Sequence, residues 1–450
     1  MKSTILISMP ALGLLAALAI PAGLDAQEQS VQQHKSQPPH YTLTDLGTLK
    51  GGTSSQAFTL SDNGFVSGQA GVADGTQHAV LWYQGQIIDI SKPGLLGPNS
   101  AAIGINQRGQ AEVLAESTIK DPKGENFCAF GTGLKCLPFF WQGGVMTPLP
   151  LLGGNNGNVG QINNQGEVAG FAENGTVDTE CPRGVTVSGT GPQFLDFEAV
   201  IWGPMQGQIR VLRPLPGDTV GMALSINDLG QAVGASGRCG NTVLPPLAFG
   251  PHAVLWEKDG SVHDLGNLGG TALNIGSSIN NQGQVTGFSG LTQDSSPFNG
   301  THAFLWTRET GKMQDLGTLD GDVVSGGIGI NDKGQVVGPS FDADGNPRAY
   351  LWQNGVMTDL NTLIPAGSPL FLLFAESINS RGEIVGFGAT EAGDVHAFLA
   401  TPSNGAFDSE GAAPAARGVT SPMVLSEDAR KLVQQRLPFG RFGVRLMGPR

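Results

Sequence analysis

Apolar residues in this chain come in short runs of four to six, broken by Gly, Asn and Asp, and the same pattern of breaks returns seven times. One recurrent unit reads SDNGFVSG at Ser61, INQRGQAEV at Ile105, INNQGEVAG at Ile162 and INDLGQAVG at Ile226. It continues as INNQGQVTG at Ile279, INDKGQVVG at Ile330 and INSRGEIVG at Ile378. Counted from Ser61 and then from each Asn, the spacings are 45, 57, 64, 53, 51 and 48 residues. The Asn can hydrogen-bond within a tight turn and the Gly can supply a positive φ, so each unit predicts a β-hairpin.

A second run follows each hairpin. It reads HAVLW at His78, PFFW at Pro138, AVIW at Ala199, HAVLW at His252, HAFLW at His302, AYLW at Ala349 and HAFLA at His396. All six tryptophans of the chain (Trp82, Trp141, Trp202, Trp256, Trp306 and Trp352) occupy this one register, and Ala400 takes the seventh place. A third run trails the first six copies and ends in Asp-Leu or similar, as in GQIIDI at Gly85 and GKMQDLGTL at Gly311. The runs are short, partly β-branched and bounded by turn residues, which is the pattern of strands. Helical solenoids need 3.6-residue apolar periodicity, and none is present.

Each unit therefore counts four strands: one into the Asn, one out of the hairpin, the Trp run and the Asp-Leu run. Four strands per repeat, with repeats of about 40 to 50 residues as the propeller signature, predict an all-β, seven-bladed β-propeller of four-stranded blades. The ends of the array carry the closure. The seventh copy has no Asp-Leu run, whereas an orphan YTLTDLGTL stands at Tyr41 ahead of the first hairpin. An N-terminal strand completing the last blade accounts for both and removes exposed sheet edges.

Around the array, residues 1–26 read as a signal peptide, with Lys2, an apolar stretch from Ile5 to Ile20 and small residues at Ala22 and Ala26. Residues 27–40 form a polar linker, 41–402 the propeller, 403–423 a flexible linker, and 424–450 a short amphipathic helix with a basic tail. In that helix Ser426 is the expected N-cap, and Leu425, Ala429, Leu432, Val433 and Leu437 share one face. No stretch after Ala26 is apolar for long enough to span a bilayer.

The three motifs in fixed order resemble the HAF-family extracellular repeat. The match is carried by His302-Ala303-Phe304-Leu305-Trp306, Asp315-Leu316-Gly317-Thr318-Leu319 and Ile330-Asn331-Asp332-Lys333-Gly334, and it covers Tyr41 to Pro402. The resemblance implies an exported bacterial protein, secreted, periplasmic or at the cell surface, and implies no reaction. Copies two and three depart from it, with PFFW and AVIW lacking the His.

Composition narrows the function classes. A net charge of -13 argues against nucleic acid, which needs clustered cations. The small residues of the inner strands (Gly104, Ser225, Gly329 and their equivalents) offer almost no general acid, base or nucleophile. No paired-carboxylate or GxSxG site stands out, so no catalytic residue and no cofactor is assigned. His78, His252, His302 and His396 fall in four different blades, which suits a role at the start of a strand better than one shared metal. Asp342, Asp344 and Asn346 alternate oxygens around Gly345 in the manner of a small calcium loop, although Asp-Gly-Asn is also ordinary turn chemistry.

The loops between second and third strands are the main functional clue. They are long in copies two (Leu114 to Leu137), three (Phe171 to Glu198), four (Ala235 to His252) and five (Phe288 to His302). Up-and-down strands place all of them on one face, and variable loops on a rigid scaffold are where recognition resides. All four cysteines lie in these loops. The economical pairing is Cys128 with Cys136 within one loop and Cys181 with Cys239 between neighbouring blades. The expectation is an exported, monomeric binding or scaffold protein whose loop face meets a glycan, a protein or a cell-surface polymer. The alternatives are a propeller enzyme acting on polysaccharide, as hydrolase or lyase, and a structural envelope component.

Overall fold

The structure is a computed structural model. It describes residues 39–403, apart from 92–95, 182–184, 187–188, 191, 240–242, 245–246, 249–250, 272 and 293–299. The leader and the C-terminal helix expected from the sequence lie outside the described residues.

Seven antiparallel four-stranded sheets follow one another as the blades of a β-propeller. Blade 1 is built from Ser55–Leu60, Val66–Gly71, Gln77–Tyr83 and Gln86–Asp89, running from the channel outward. Blade 7 takes three strands from the C-terminal end, Leu370–Ile378, Ile384–Thr390 and Val395–Ser403, and its fourth, His40–Asp45, from the N-terminal end. The closing strand pairs in full register, from His40 opposite Ser403 to Asp45 opposite Phe398. The expected strand exchange is therefore the way the ring closes. The inner strand of blade 6 is broken into Val324–Ser325 and Gly329–Ile330, so this blade departs from the regular count.

The hairpin Asn explains why the motif recurs. Asn227 Oδ1 accepts from Leu229 N at 3.0 Å and Gln231 N at 3.0 Å, closing the turn on itself. Its Nδ2 donates to Gln231 Oε1 at 2.8 Å and to Asn280 O of the next blade at 3.0 Å. One buried amide thus folds a turn and joins two blades, with Gly230 at φ 81° completing the hairpin. The same bridge runs from Asn106 to Asn163 O, Asn163 to Asn227 O, Asn280 to Asn331 O and Asn331 to Asn379 O.

Tryptophans join the blades on their outer side. The indole N–H of Trp82, Trp202 and Trp256 donates to Leu46 O, Pro150 O and Arg213 O, each in the segment that leads in from the preceding blade. Trp256 lies in an apolar cluster drawn from blades 3 and 4, with Ala199, Ile201 and Leu212 on one side and Ala223, Ile226 and Val254 on the other. The ring needs a glycine beneath it: a Cβ on Gly170 would lie 2.3 Å from Trp202 Cζ3 and 2.3 Å from Asn158 O. Trp141 is the exception, half-buried where the other five are buried.

Candidate functional site

The strand order gives the propeller two unlike faces. One carries the hairpin turns and the channel mouth. The other carries the loops between second and third strands, the insertions.

At the mouth, a ring of aliphatic side chains (Leu60 and the isoleucines at 105, 162, 226, 279, 330 and 378) lies beside a polar ring, around a depression of about 180 Å³. Three carboxylates join this ring, and each is engaged in holding it. Asp228 Oδ1 accepts from Asn164 N at 2.8 Å, Asp332 Oδ1 from Asn281 N at 2.8 Å, and Asp62 Oδ1 from Ser380 N at 2.9 Å. The mouth is thus a hydrogen-bonded belt that ties each turn to the next, and its acidic groups serve the fold.

On the other face, the insertions of blades 2, 3 and 4 are consolidated with one another. Cys128 is bonded to Cys136 inside the blade 2 loop, and Cys181 to Cys239 between blades 3 and 4, with Cα atoms 5.1 and 4.8 Å apart. This is the pairing expected from loop position. A single apolar cluster contains Phe127, Cys136, Phe171, Cys181, Phe197, Cys239 and Phe288, so side chains from blades 2 to 5 share one core. Phe171 lies between Phe127 and Phe197 with its ring tilted to both, the ring centroids 5.5 and 6.0 Å away. The described parts of the insertions, held this way, form a cap.

The cap encloses acidic side chains. Glu116 accepts from Asn99 Nδ2 at 2.8 Å and from the Thr132 hydroxyl, and burial pushes its carboxyl up. Glu125 reaches from the blade 2 loop to the backbone N–H of Phe194, 2.7 Å away in the blade 3 insertion. Glu173, on the strand Val168–Val177, accepts from Asn155 N and Asn156 N, both at 3.0 Å. Burial first, and then the neighbouring Glu125 charge, push Glu173 up to about 9, and burial also raises Glu125. Nearer solvent, burial and then contact with Asp178 raise Asp196 to about 7. Asp178, Asp196 and the sulfurs of Cys181 and Cys239 lie within 4.8 Å of one another. The two sulfurs are bonded to each other, which leaves the pair of carboxylates as the available ligands there.

Asp342 Oδ1 accepts from Asp344 N and Asn346 N, both at 2.9 Å, and Oδ2 from Asn346 Nδ2 at 2.9 Å. Asp342 therefore folds its own turn. The repeated histidines start their strands, as expected, and also do something the sequence reading missed. His78, His252, His302 and His396 each place Nδ1 within 2.8 to 3.1 Å of an aspartate on the adjacent fourth strand: Asp89, Asp264, Asp315 and Asp45. The same aspartates accept from a backbone N–H two residues on, as Asp315 does from Gly317 at 2.8 Å. Blade 6 has Arg348 instead of His, paired with Asp359 at 3.1 Å and also with Asp322. The signal lay in covariation among the internal copies. Blades 2 and 3 have Leu137 and Glu198 in the His register, and Pro148 and Val211 in the Asp register.

No protein-family model matches the chain, and no curated protein matches it. Solved propellers are similar in fold. A puromycin-hydrolysing peptidase of Mycobacterium tuberculosis gives a TM-score of 0.45 at 10% identity, over 82% of this chain and 55% of that one. An oligogalacturonate lyase from Vibrio parahaemolyticus gives 0.43 at 9% identity, over 80% and 94%. The β-propeller domain of the Trilobed protease from Pyrococcus furiosus gives 0.42 at 8% identity, over 80% and 95%. The chain spans about half the length of the puromycin-hydrolysing peptidase. The likeness is one of overall fold.

Proposed function

We propose that this is an exported binding or scaffold protein that recognises a glycan, protein or cell-surface polymer through the cap formed by the insertions of blades 2 to 4. The observation that carries the reading is the joining of loops from separate blades into one unit by a shared apolar core and an interblade disulfide. Ordering long loops costs conformational entropy, and an ordered loop surface presents a preformed contact area that does not incur that cost again on binding. The regular repeats, in contrast, use their distinctive Asn, Trp and His for joining and closing blades.

Export and membership of the HAF-type repeat proteins belong to the same proposal. Two disulfides support an oxidising compartment. Pairing of the motif's His with the Asp of its Asp-Leu run gives the repeat signature a physical role. No helix among the described residues is long and apolar enough to cross a membrane.

The test replaces residues 118–134 by the short turn of blade 1 and probes both proteins on glycan arrays and on intact bacterial cells. Loss of binding by a shortened protein that still unfolds in one cooperative transition supports the reading. Full binding by the shortened protein refutes it.

A further inference from the structure

We propose that Asp178, Cys181, Asp196 and Cys239 form a redox-gated zinc site at the junction of blades 3 and 4, available to the metal once the bond between the two sulfurs is reduced. The site uses its own set of residues and does not depend on the binding role above.

One oxygen or sulfur from each of the four residues lies within 4.8 Å of the other three. Asp178 directly follows the strand Val168–Val177. Asp196 lies in the strand Leu195–Trp202, which pairs with it, Val177 opposite Leu195. Cys181 belongs to the blade 3 insertion, and Cys239 follows the strand Ala232–Gly237 of blade 4. The carboxylates are therefore placed by strand register. The cysteines are placed by the disulfide and by burial, at 3% and 0% exposure. Ligands carried on rigid elements suit a metal better than ligands on separate loops.

The carboxylates are short of partners. Asp178 Oδ1 accepts from Glu180 N at 2.7 Å. Asp196 Oδ1 is buried and receives no donor. Arg238, next to Cys239 in the chain, donates through Nε to Glu180 Oε2 at 2.9 Å. Burial, and then contact with Asp178, raise Asp196 to about 7, as two acids side by side require when no cation lies between them.

In the oxidised form the sulfurs are bonded to each other and do not ligate. A dithiol reductant changes this. It delivers two electrons and two protons to the Cys181–Cys239 bond and is itself oxidised to a disulfide. The S–S bond breaks and two thiols form. Zn²⁺ then displaces both thiol protons to solvent, because thiolate is the ligand form. Tetrahedral zinc, with Zn–S of about 2.3 Å and Zn–O of about 2.1 Å, separates its ligand atoms by about 3.4 to 3.8 Å. The sulfurs have to part by about 1.7 Å from bonding distance. The oxygens have at most about 1.4 Å to close. Two thiolates and two carboxylates select zinc over the hard cations calcium and magnesium. The bound ion takes over the link between blades 3 and 4 that the disulfide makes in the oxidised form.

The experiment titrates Co²⁺, a spectroscopic stand-in, and then Zn²⁺ into the full chain under nitrogen, either oxidised or reduced with a phosphine. The reduced wild type is expected to bind one Co²⁺ with thiolate charge-transfer absorption and a tetrahedral ligand-field band, and Zn²⁺ to displace it. The oxidised chain should show neither band. Zinc should slow alkylation of Cys181 and Cys239 in the reduced chain, mapped by peptide mass, and leave the rates at Cys128 and Cys136 unchanged. Asp178→Asn and Asp196→Asn should each weaken zinc binding at least about 10-fold, the cost of losing even an outer-sphere partner. Asp342→Asn should leave it unaltered. Absence of the cobalt bands in the reduced wild type overturns the proposal, as does equal binding by the oxidised chain. Protection confined to Cys128 and Cys136, or unchanged affinity in both Asn variants, overturns it too. The wild-type absorption and alkylation decide even if a variant fails to fold.

Discussion

His396 Nδ1 lies 2.8 Å from Asp45 Oδ2, across 351 residues of chain. The pair joins the C-terminal end of the propeller to the N-terminal strand that completes blade 7. It repeats at the closure what three other blades do within a single stretch of sequence.

This ion pair makes closure depend on pH. The hydrogen bond to Asp45, followed by its charge, raises His396 against an opposing burial effect. Burial would raise Asp45, but the hydrogen bonds from His396 and Gly47 outweigh it and hold the carboxyl low. A raised His contributes its stability below its ordinary pKa of about 6.5 and loses it as pH climbs through the folded value. A lowered Asp contributes above its ordinary value of about 4 and loses it as pH falls through the folded value. The clasp is therefore strongest between about pH 4 and 6.5. Melting curves of wild type and His396→Gln should differ most near pH 5.5 and converge by pH 9. An equal gap at both values would refute this assignment.

Deleting residues 40–49 should abolish cooperative unfolding. The lost strand carries buried Tyr41 and covers Ala400 and Phe398, both at 0% exposure. Its removal leaves Val395–Ser403 as an open edge. Circular dichroism and size exclusion would register expansion or association; a sharp unfolding transition at the wild-type temperature would mean the ring does not need the strand.

The hairpin amides should be worth more than surface asparagines. Asn280→Ala removes the two bonds that Asn280 Oδ1 accepts from Gln282 N and Gln284 N, and the interblade bond to Asn331 O. A loss of about 2 to 3 kcal/mol is expected from denaturant unfolding. Asn354→Ala, in an exposed turn, should change little beyond its own positive φ of 52°.

The two disulfides should contribute unequally. Cys181 and Cys239 are 58 residues apart, and the chain-entropy relation puts their contribution at about 4 kcal/mol. Cys128 and Cys136 are 8 apart, for about 2 to 3 kcal/mol. Denaturant titrations of the separate Cys→Ser pairs would show the ordering, and its reversal would point to an effect on native packing.

Trp202→Ala should cost about 3 to 5 kcal/mol, since the ring is fully buried and its N–H is bonded to Pro150 O. Trp141→Ala, at the half-buried register, should cost clearly less. Chemical unfolding of the two variants side by side tests whether one sequence register hides two environments.

The repeat itself was legible because each of its residues does a local job that recurs with the chain. Asn and Gly make the turn, apolar runs make the strands, and the missing fourth strand of copy seven matched the orphan at Tyr41. Fold, blade count, ring closure and the cysteine pairing all follow from position along the sequence. The His–Asp pairs were half legible, visible as two motifs but not as partners, because a cross-strand contact is a property of register. What only the tertiary structure decided lies in the cap. That Glu125 meets Glu173, and that Phe127, Phe171 and Phe197 share one core, depends on loops of unrelated sequence converging from different blades. Repeats are specified by short-range chemistry copied along the chain, whereas convergence between unlike insertions is set by packing that no single segment encodes.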